Sequence, residues 1–252
     1  MKRRLCGVHA VGEALAANPR SLALIMVTDD GPRNPHLPAI ERARQHGVVV
    51  EVRPQPVLDA IAAGLRHQGI VAIAAEDYPY VDLDALLDAA SVPALFVALD
   101  EVTDVHNFGA IVRSAVALGA DGVITLRDRA APVNGAVVRA SAGATEHARI
   151  ARVTNLSRTL EQLVEREIQA VGLDANGDRE LDRVDFSLPT VLVIGSEGRG
   201  LRRLVRDRCH VRAKIPMIGP IGSLNASVAA AIALYEARRQ RLALITATVP
   251  TT

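Results

Sequence analysis

Apolar positions recur at helical spacing over Gly7–Leu15 and Leu37–His46, and as short β-rich runs over Leu22–Thr28, Val48–Val52 and Ile70–Ala74. Alternating helix and strand patterns of this kind predict a small α/β domain. The rhythm breaks at EDYPYVDLDALLDAASVP, which carries two prolines and five acidic residues. A domain boundary is expected there, with residues 77–92 linking a domain of residues 1–76 to one of residues 93–252. Beyond it the apolar runs are ALFVALD, Val123–Leu126, Ile168–Leu173, TVLVIG at 190–195 and Val211–Pro216, separated by helix-period segments such as 107–119 and 157–167. Runs that lack polar alternation and have helices between them predict a parallel sheet covered on both faces. Ligands on such sheets bind at the carboxyl ends of strands, and three unusual loops follow strands here.

The first loop, DEVTDVHNFGAIVRSAVALGADG, carries Asn107 and Arg113. On a helix starting near Asn107 they fall within about 120° of each other. Taken singly, Asn107 reads as a helix N-cap and Arg113 as a surface residue. The second, VIGSEGRGLRRL, runs from a strand into Gly195, Gly198 and Gly200 before a helix. Bare backbone and exposed N–H groups there suit a nucleotide-like ligand. The glycine order is neither the dinucleotide fingerprint nor a serine-hydrolase elbow. Glu197, taken alone, is a favourable charge at a helix N-terminus. The third, IPMIGPIGSLNASVAAAIALYE, turns on Gly219, Pro220 and Gly222 and offers Ser223 and Asn225 just before a run of helix formers. A helix start explains one polar cap, not two.

Together these loops resemble one family. Asn107-x-Gly109 with Arg113, Gly195-Ser196-Glu197-Gly198-x-Gly200-Leu201, and Ile215-Pro216-Met217 through Ser223-Leu224-Asn225-Ala226-Ser227-Val228 look like the three ordered motifs of the SpoU RNA 2′-O-ribose methyltransferases. GVHAVGEAL and HQGIVAIA are similar to the substrate-binding domain of the branch that methylates guanosine in 23S rRNA. Val105 stands where the family often has Pro and Ala226 where it often has Val; neither change removes a polar group.

The resemblance implies an α/β protein of the SPOUT class. A small N-terminal α/β substrate-binding domain would precede a C-terminal parallel-sheet methyltransferase domain with a trefoil knot. It implies S-adenosyl-L-methionine as cofactor, RNA as substrate, and a homodimer whose sites take residues from both chains. The cofactor contacts carry over to the backbone around Gly195, Ile215 and Leu224, and the catalytic set to Asn107, Arg113, Glu197, Ser223 and Asn225. A tRNA ribose methyltransferase, a non-catalytic RNA-binding module and a Rossmann-type nucleotide enzyme are the competing classes.

Composition refines this picture at a few points. With 49% hydrophobic and 23% charged residues in 252, the chain reads as soluble and long enough for two cores. The apolar run Ala229–Tyr235 is too short to span a bilayer, and no secretory segment follows the basic start, so a cytoplasmic protein is expected. Cys6 and His9 are half a metal site at most, without a second pair, and no metal is expected. Net charge is +1, yet between Arg199 and Lys214 seven basic residues face the single acid Asp207. Such a run meets a polyanion or, more often, is a solvated helix face. Aromatic content of 2% leaves little for base stacking.

The expected chemistry bears on Arg113. A guanidinium stays protonated, so it is a poor base, and an adjacent phosphate would raise its proton affinity further. Its expected role is to grip the phosphate beside the target ribose. Of Ser223 and Asn225, one is expected to cap the helix and the other to face the reaction, with Glu197 orienting them. Val228, Ile232, Tyr235 and Leu242 share one helix face, which is either core or a dimer interface. A chain starting near Pro93 is expected to fold and dimerise alone.

Overall fold

The computed structural model describes residues 2–29, 34–220 and 222–247. Met1, residues 248–252 and Ile221 of the third loop lie outside the described residues. The chain forms two compact units, one of residues 1–79 with 132–147, the other of residues 80–131 with 148–252.

The first unit opens with β1 (Arg4–Cys6), α1 (Val8–Ala17), β2 (Leu22–Val27), α2 (Leu37–Gln45), β3 (Val49–Val52), α3 (Gln55–Ala62) and β4 (Ile70–Ala74). Its sheet runs β1-β4-β2-β3, with β4 antiparallel to both neighbours and β3 parallel to β2. α1 buries Ala10, Val11, Ala14 and Leu15 as one stripe at helical spacing. α3 is absent from the sequence expectation because Pro54 and Pro56 look like breakers. They stand at its N-cap and in its first turn, where a missing N–H costs nothing. It packs Leu58 and Ala62 against Cys6, Met26 and Val71. Cys6 therefore belongs to a core while His9 faces solvent, and burial lifts the Cys6 thiol above its ordinary range.

The second unit begins with α4 (Leu83–Asp88), β5 (Leu95–Asp100), α5 (Val105–Ala117) and β6 (Gly122–Leu126). The chain then returns to the first unit for α6 (Gly135–Ala140). It comes back for β7 (Ile150–Val153), α7 (Leu156–Glu165), β8 (Gln169–Leu173), β9 (Arg179–Glu180), β10 (Thr190–Gly195), α8 (Arg203–Arg206), β11 (Val211–Lys214) and α9 (Ala226–Ala247). The strand order is β7-β6-β5-β10-β8-β11-β9, and every pair is parallel. β5, β6 and β10 are buried at every position, which is why their sequences show no alternation. Phe96, Ala98, Ile124 and Val191 join Leu156, Leu160 and Leu163 of α7 in one core, while α5 and α9 pack on each other and on β6 and β10. Because the sheet is all parallel, the loops after β5, β10, β8 and β11 leave from one edge.

By their contacts, residues 80–92 go with the second unit and residues 132–147 with the first. Residues 77–92 are not a free linker: Val81 bridges to Ala151, the Asp82 carboxylate caps α4, and Leu86 is buried in the core with Phe96 and Ile124. Residues 132–147 belong to the first unit, where Glu146 pairs with the buried Arg3 and the Tyr78 hydroxyl donates to the Thr145 carbonyl at 3.2 Å. A chain starting at Pro93 would lose Leu86 from one core and expose Val137 and Val138, which are wholly buried.

Candidate active site

β10 ends on Gly195, and the next residues fold straight back. The Gly200 N–H donates to the Ser196 carbonyl at 2.8 Å and the Ser196 N–H to the Gly200 carbonyl at 3.2 Å. Gly198 and Gly200 take φ of 80° and 65°, a region that favours glycine. A Cβ on Gly195 would stand 2.2 Å from the Gly200 carbonyl carbon. Gly195 is thus required by the loop's own backbone before any ligand is considered, a more local reason than the sequence suggested.

Behind this loop lies a clamp that sequence reasoning missed. Asp100, at the end of β5, is fully buried and accepts from the Arg202 backbone N–H at 2.8 Å and from Arg202 Nε at 2.7 Å. Glu101 adds contacts to Arg202 at 3.3 Å and to Arg129 at 2.8 Å. The available signal was an acid closing a wholly apolar strand, a position that demands a partner.

The expected catalytic residues divide into a connected set and an isolated one. Asp104, not Asn107, caps α5: its carboxylate accepts from the Asn107 N–H at 2.7 Å. The Asn107 side chain is thereby free, and it is largely buried. Its Nδ2 donates to Glu197 Oε2 at 2.9 Å, and its Oδ1 accepts from Asn225 Nδ2 at 2.9 Å. Asn225 Oδ1 in turn accepts from the Ser227 N–H at 2.9 Å, the Ser227 hydroxyl at 2.6 Å and the Val228 N–H at 3.4 Å. The start of α9 therefore fixes which way every amide in the relay points. Its N–H groups require the Asn225 oxygen, which turns the Asn225 NH2 to Asn107 and the Asn107 NH2 to the Glu197 carboxylate. One residue, Asn225, both caps the helix and reaches the relay, so the two tasks expected of a pair fall on one side chain. Ser223 is exposed on the wall of the same cavity.

Arg113 is not drawn into this set. It lies two turns along α5, exposed, without a hydrogen bond or ion pair among the described residues.

The loops after β10, β8 and β11 and the start of α9 enclose a cavity of about 420 Å³, a volume typical of small-molecule sites. Gly195, Ile215 and Leu224, the expected cofactor contacts, all line it, as do Glu197, Ser223 and Asn225. Apolar walls from Ile194, Leu201 and Ala213 alternate with the carboxylates of Asp174 and Glu197, the guanidinium groups of Arg199 and Arg206, carboxamides and backbone amides, a lining that fits an adenosine-sized ligand with polar groups of both kinds. Cys209 sits nearby under Leu201. Burial, then the neighbouring charges of Asp100 and Asp174, push its thiol up to about 12, so it is no nucleophile.

The basic run resolves into two groups. Arg202 is tied to Asp100, Arg208 to Glu161 at 2.6 Å and Arg212 to Asp178 at 3.0 Å. The Arg212 side chain holds the exposed Asp178 carboxyl below its ordinary value. Arg199, Arg203, Arg206 and Lys214 make no ion pair among the described residues.

Residues 94–235, more than half of the chain, match the SpoU rRNA Methylase family. The chain belongs to that family. Residues 4–80 match the family described as RNA 2′-O ribose methyltransferase substrate binding. This SpoU chain is 42% identical over 238 residues to the putative TrmH family tRNA/rRNA methyltransferase YacO of Bacillus subtilis, with 93% of this chain and 94% of that protein covered. It is 41% identical over 237 residues to the 23S rRNA (guanosine-2′-O-)-methyltransferase RlmB of Bordetella pertussis, with 94% and 97% covered. Among solved structures it resembles the SpoU methyltransferase AviRb from Streptomyces viridochromogenes in complex with AdoMet, at a TM-score of 0.79 and 30% identity over 95% of this chain and 90% of that one. As a SpoU methylase, the protein is an enzyme of S-adenosylmethionine-dependent RNA 2′-O-ribose methylation. The Rossmann-type and non-catalytic alternatives fall away.

Proposed function

We propose that this SpoU methylase acts in the cytoplasm as a homodimer and methylates the ribose 2′-hydroxyl of a guanosine in 23S rRNA. The observation that carries the choice of RNA is the likeness along almost the whole chain, substrate-binding part included, to an enzyme named for that nucleotide. The cofactor, held in the cavity by backbone around Gly195, Ile215 and Leu224, supplies an electrophilic methyl group on a sulfonium. The chain's own residues place the acceptor. In-line positioning of oxygen, carbon and sulfur is worth roughly 7–11 kcal/mol of barrier.

Asn107, itself held by Asn225, donates to the Glu197 carboxylate at the wall of the cavity that Ser223 also lines. Glu197 keeps its second oxygen for a donor on the substrate side, and Arg113 grips the neighbouring phosphate as a planar fork. Since Arg113 stands apart from the relay in its own chain, the second chain brings it to the site. The dimer reading draws on α9, where Val228, Ile232, Tyr235 and Leu242 are 47%, 37%, 61% and 43% exposed on one face. That face is not core within the chain, and an apolar helix stripe in water calls for a partner. Arg199, Arg203, Arg206 and Lys214 supply charge for the RNA backbone.

The test is incubation with labelled cofactor and total RNA from cells lacking the modification, followed by mapping of the label. A single 2′-O-methylguanosine in 23S rRNA is expected. Label in tRNA would overturn the choice of RNA, and label on a base would overturn the reaction.

A further inference from the structure

The cavity wall carries one more carboxylate, which the methyl-transfer chemistry does not use. Asp174 follows β8, which lies between β10 and β11 in the sheet, with Gly172 opposite Val193 and Leu173 opposite Ala213. It stands between the two loops that wall the cavity, separated by β10 from the strand that leads to Asn107. The turn that carries it is closed by hydrogen bonds. The Asp174 N–H donates to the Ala213 carbonyl at 3.0 Å, its own carbonyl accepts from the Gly177 N–H at 2.9 Å, and its Oδ1 accepts from the Asn176 N–H at 2.9 Å. A Cβ on Gly177 would come within 2.5 Å of the Arg212 carbonyl oxygen, so the turn is pressed onto β11. The second carboxylate oxygen of Asp174 and the side-chain amide of Asn176 have no partner among the described residues, and both residues line the cavity.

We propose that Asp174, with Asn176, binds the vicinal ribose hydroxyls of the cofactor. This rests on the cavity being the cofactor site. A diol presents adjacent O–H donors whose oxygens also accept, and one free carboxylate oxygen beside one carboxamide offers an acceptor and a donor to match. An ammonium group offers three donors and no acceptor, and would leave the Asn176 NH2 unanswered. An acidic side chain on a ribose hydroxyl at a strand end is the solution that dinucleotide folds also use. It gives the site a means of selecting a ribonucleoside cofactor over a deoxy one.

Calorimetry with S-adenosylhomocysteine, its 2′-deoxy analogue and 5′-methylthioadenosine tests this without turnover. Asp174→Ser keeps an oxygen for the turn and removes the free acceptor. Asp174→Asn preserves shape and serves if the Ser variant melts early. Both should weaken S-adenosylhomocysteine and 5′-methylthioadenosine, the Ser variant by about tenfold, and hardly change the 2′-deoxy analogue. Unchanged affinity for S-adenosylhomocysteine would overturn the proposal. So would a loss that spares 5′-methylthioadenosine, because the carboxylate would then be holding the ammonium. Ala229→Phe separates the premise: Ala229 lines the cavity, and a ring there should abolish binding of all three ligands. Retained binding in that variant would remove the cavity as cofactor site, and the proposal with it.

Discussion

The two loops that wall the cavity are built on opposite plans. The loop after β10 is closed by its own backbone, with Ser196 and Gly200 exchanging hydrogen bonds, Gly195 pressed against Gly200 and Arg202 locked to the buried Asp100. The loop after β11 is exposed through residues 216–220, with Ile218 fully in solvent, and it is pinned where Asn225 caps α9 and meets Asn107. One wall is closed by its own backbone, while the other is tied down at its far end, at the start of α9. Glycine therefore has different meanings in the two: in the first it is a steric requirement, in the second a tolerance.

The largest effect should come from breaking the first wall. Gly195→Val places a side chain inside the Gly200 backbone and should cost more than about 3 kcal/mol or prevent folding, measured by denaturant midpoint. Gly222→Ala, where an added Cβ meets nothing within 4 Å, should stay within about 0.5 kcal/mol. Equal costs would erase the distinction between the loops.

Next comes the clamp. Asp100→Ala leaves the Arg202 N–H unpaired and should cost about 2–3 kcal/mol, less than a fully buried pair because the Arg202 side chain is 35% exposed. Cofactor affinity should fall with it, since the clamped loop forms the wall. A loss of stability with unchanged affinity would uncouple clamp from cavity.

A smaller effect is expected where the second wall is pinned. Asn225→Ala removes the α9 cap and should cost about 1 kcal/mol in thermal unfolding. It also frees the Asn107 amide, so methyl transfer should fall far more than stability does. Parallel losses would make Asn225 a cap and nothing else.

The smallest effect concerns the floor of the first loop, where Cys209 packs with Leu201 against Gly172. Its thiol is held near 12, above an ordinary value of about 8.5, so the folded chain retains that proton longer than the unfolded one. This contribution is complete below the ordinary value and is lost as pH rises towards 12. Cys209→Ala should therefore flatten the alkaline decline of the melting temperature. An unchanged alkaline limb would contradict the burial-driven shift.

What the chain disclosed about itself follows the range of the interactions. The strands of the second sheet are legible because burial on both faces leaves unbroken apolar runs, and the three loops are legible because glycines and carboxamides are conspicuous after such runs. Asn107, Glu197 and Asn225 could be singled out, but their order in a relay could not, since it depends on Asp104 taking the capping role and on α9 dictating the amide orientations. Asp100 and Arg202 stand far apart in sequence, and Arg202 was hidden in a run of arginines that looked uniform. By chain order the stretch 132–147 falls in the second domain, yet it packs in the first unit through Glu146 and Thr145, a long-range pairing with Arg3 and Tyr78 that no local pattern carries. β1 and β9, with three and two residues, are too short to show a period at all.

The contrast between a relay assembled within one chain and an Arg113 left outside it leads to one decisive measurement. Arg113→Ala and Asn225→Ala enzymes, each expected to lose at least about a hundredfold in methyl transfer, should be unfolded together, refolded as mixed dimers and assayed on the cognate RNA. If Arg113 serves the partner's cavity, each mixed dimer contains one site with both residues intact, and activity should recover to about a quarter of the wild-type level under random two-fold pairing. Recovery to that level is the expected result. No recovery, with mixed dimers demonstrated by mass, would show that Arg113 does not complete the partner's site.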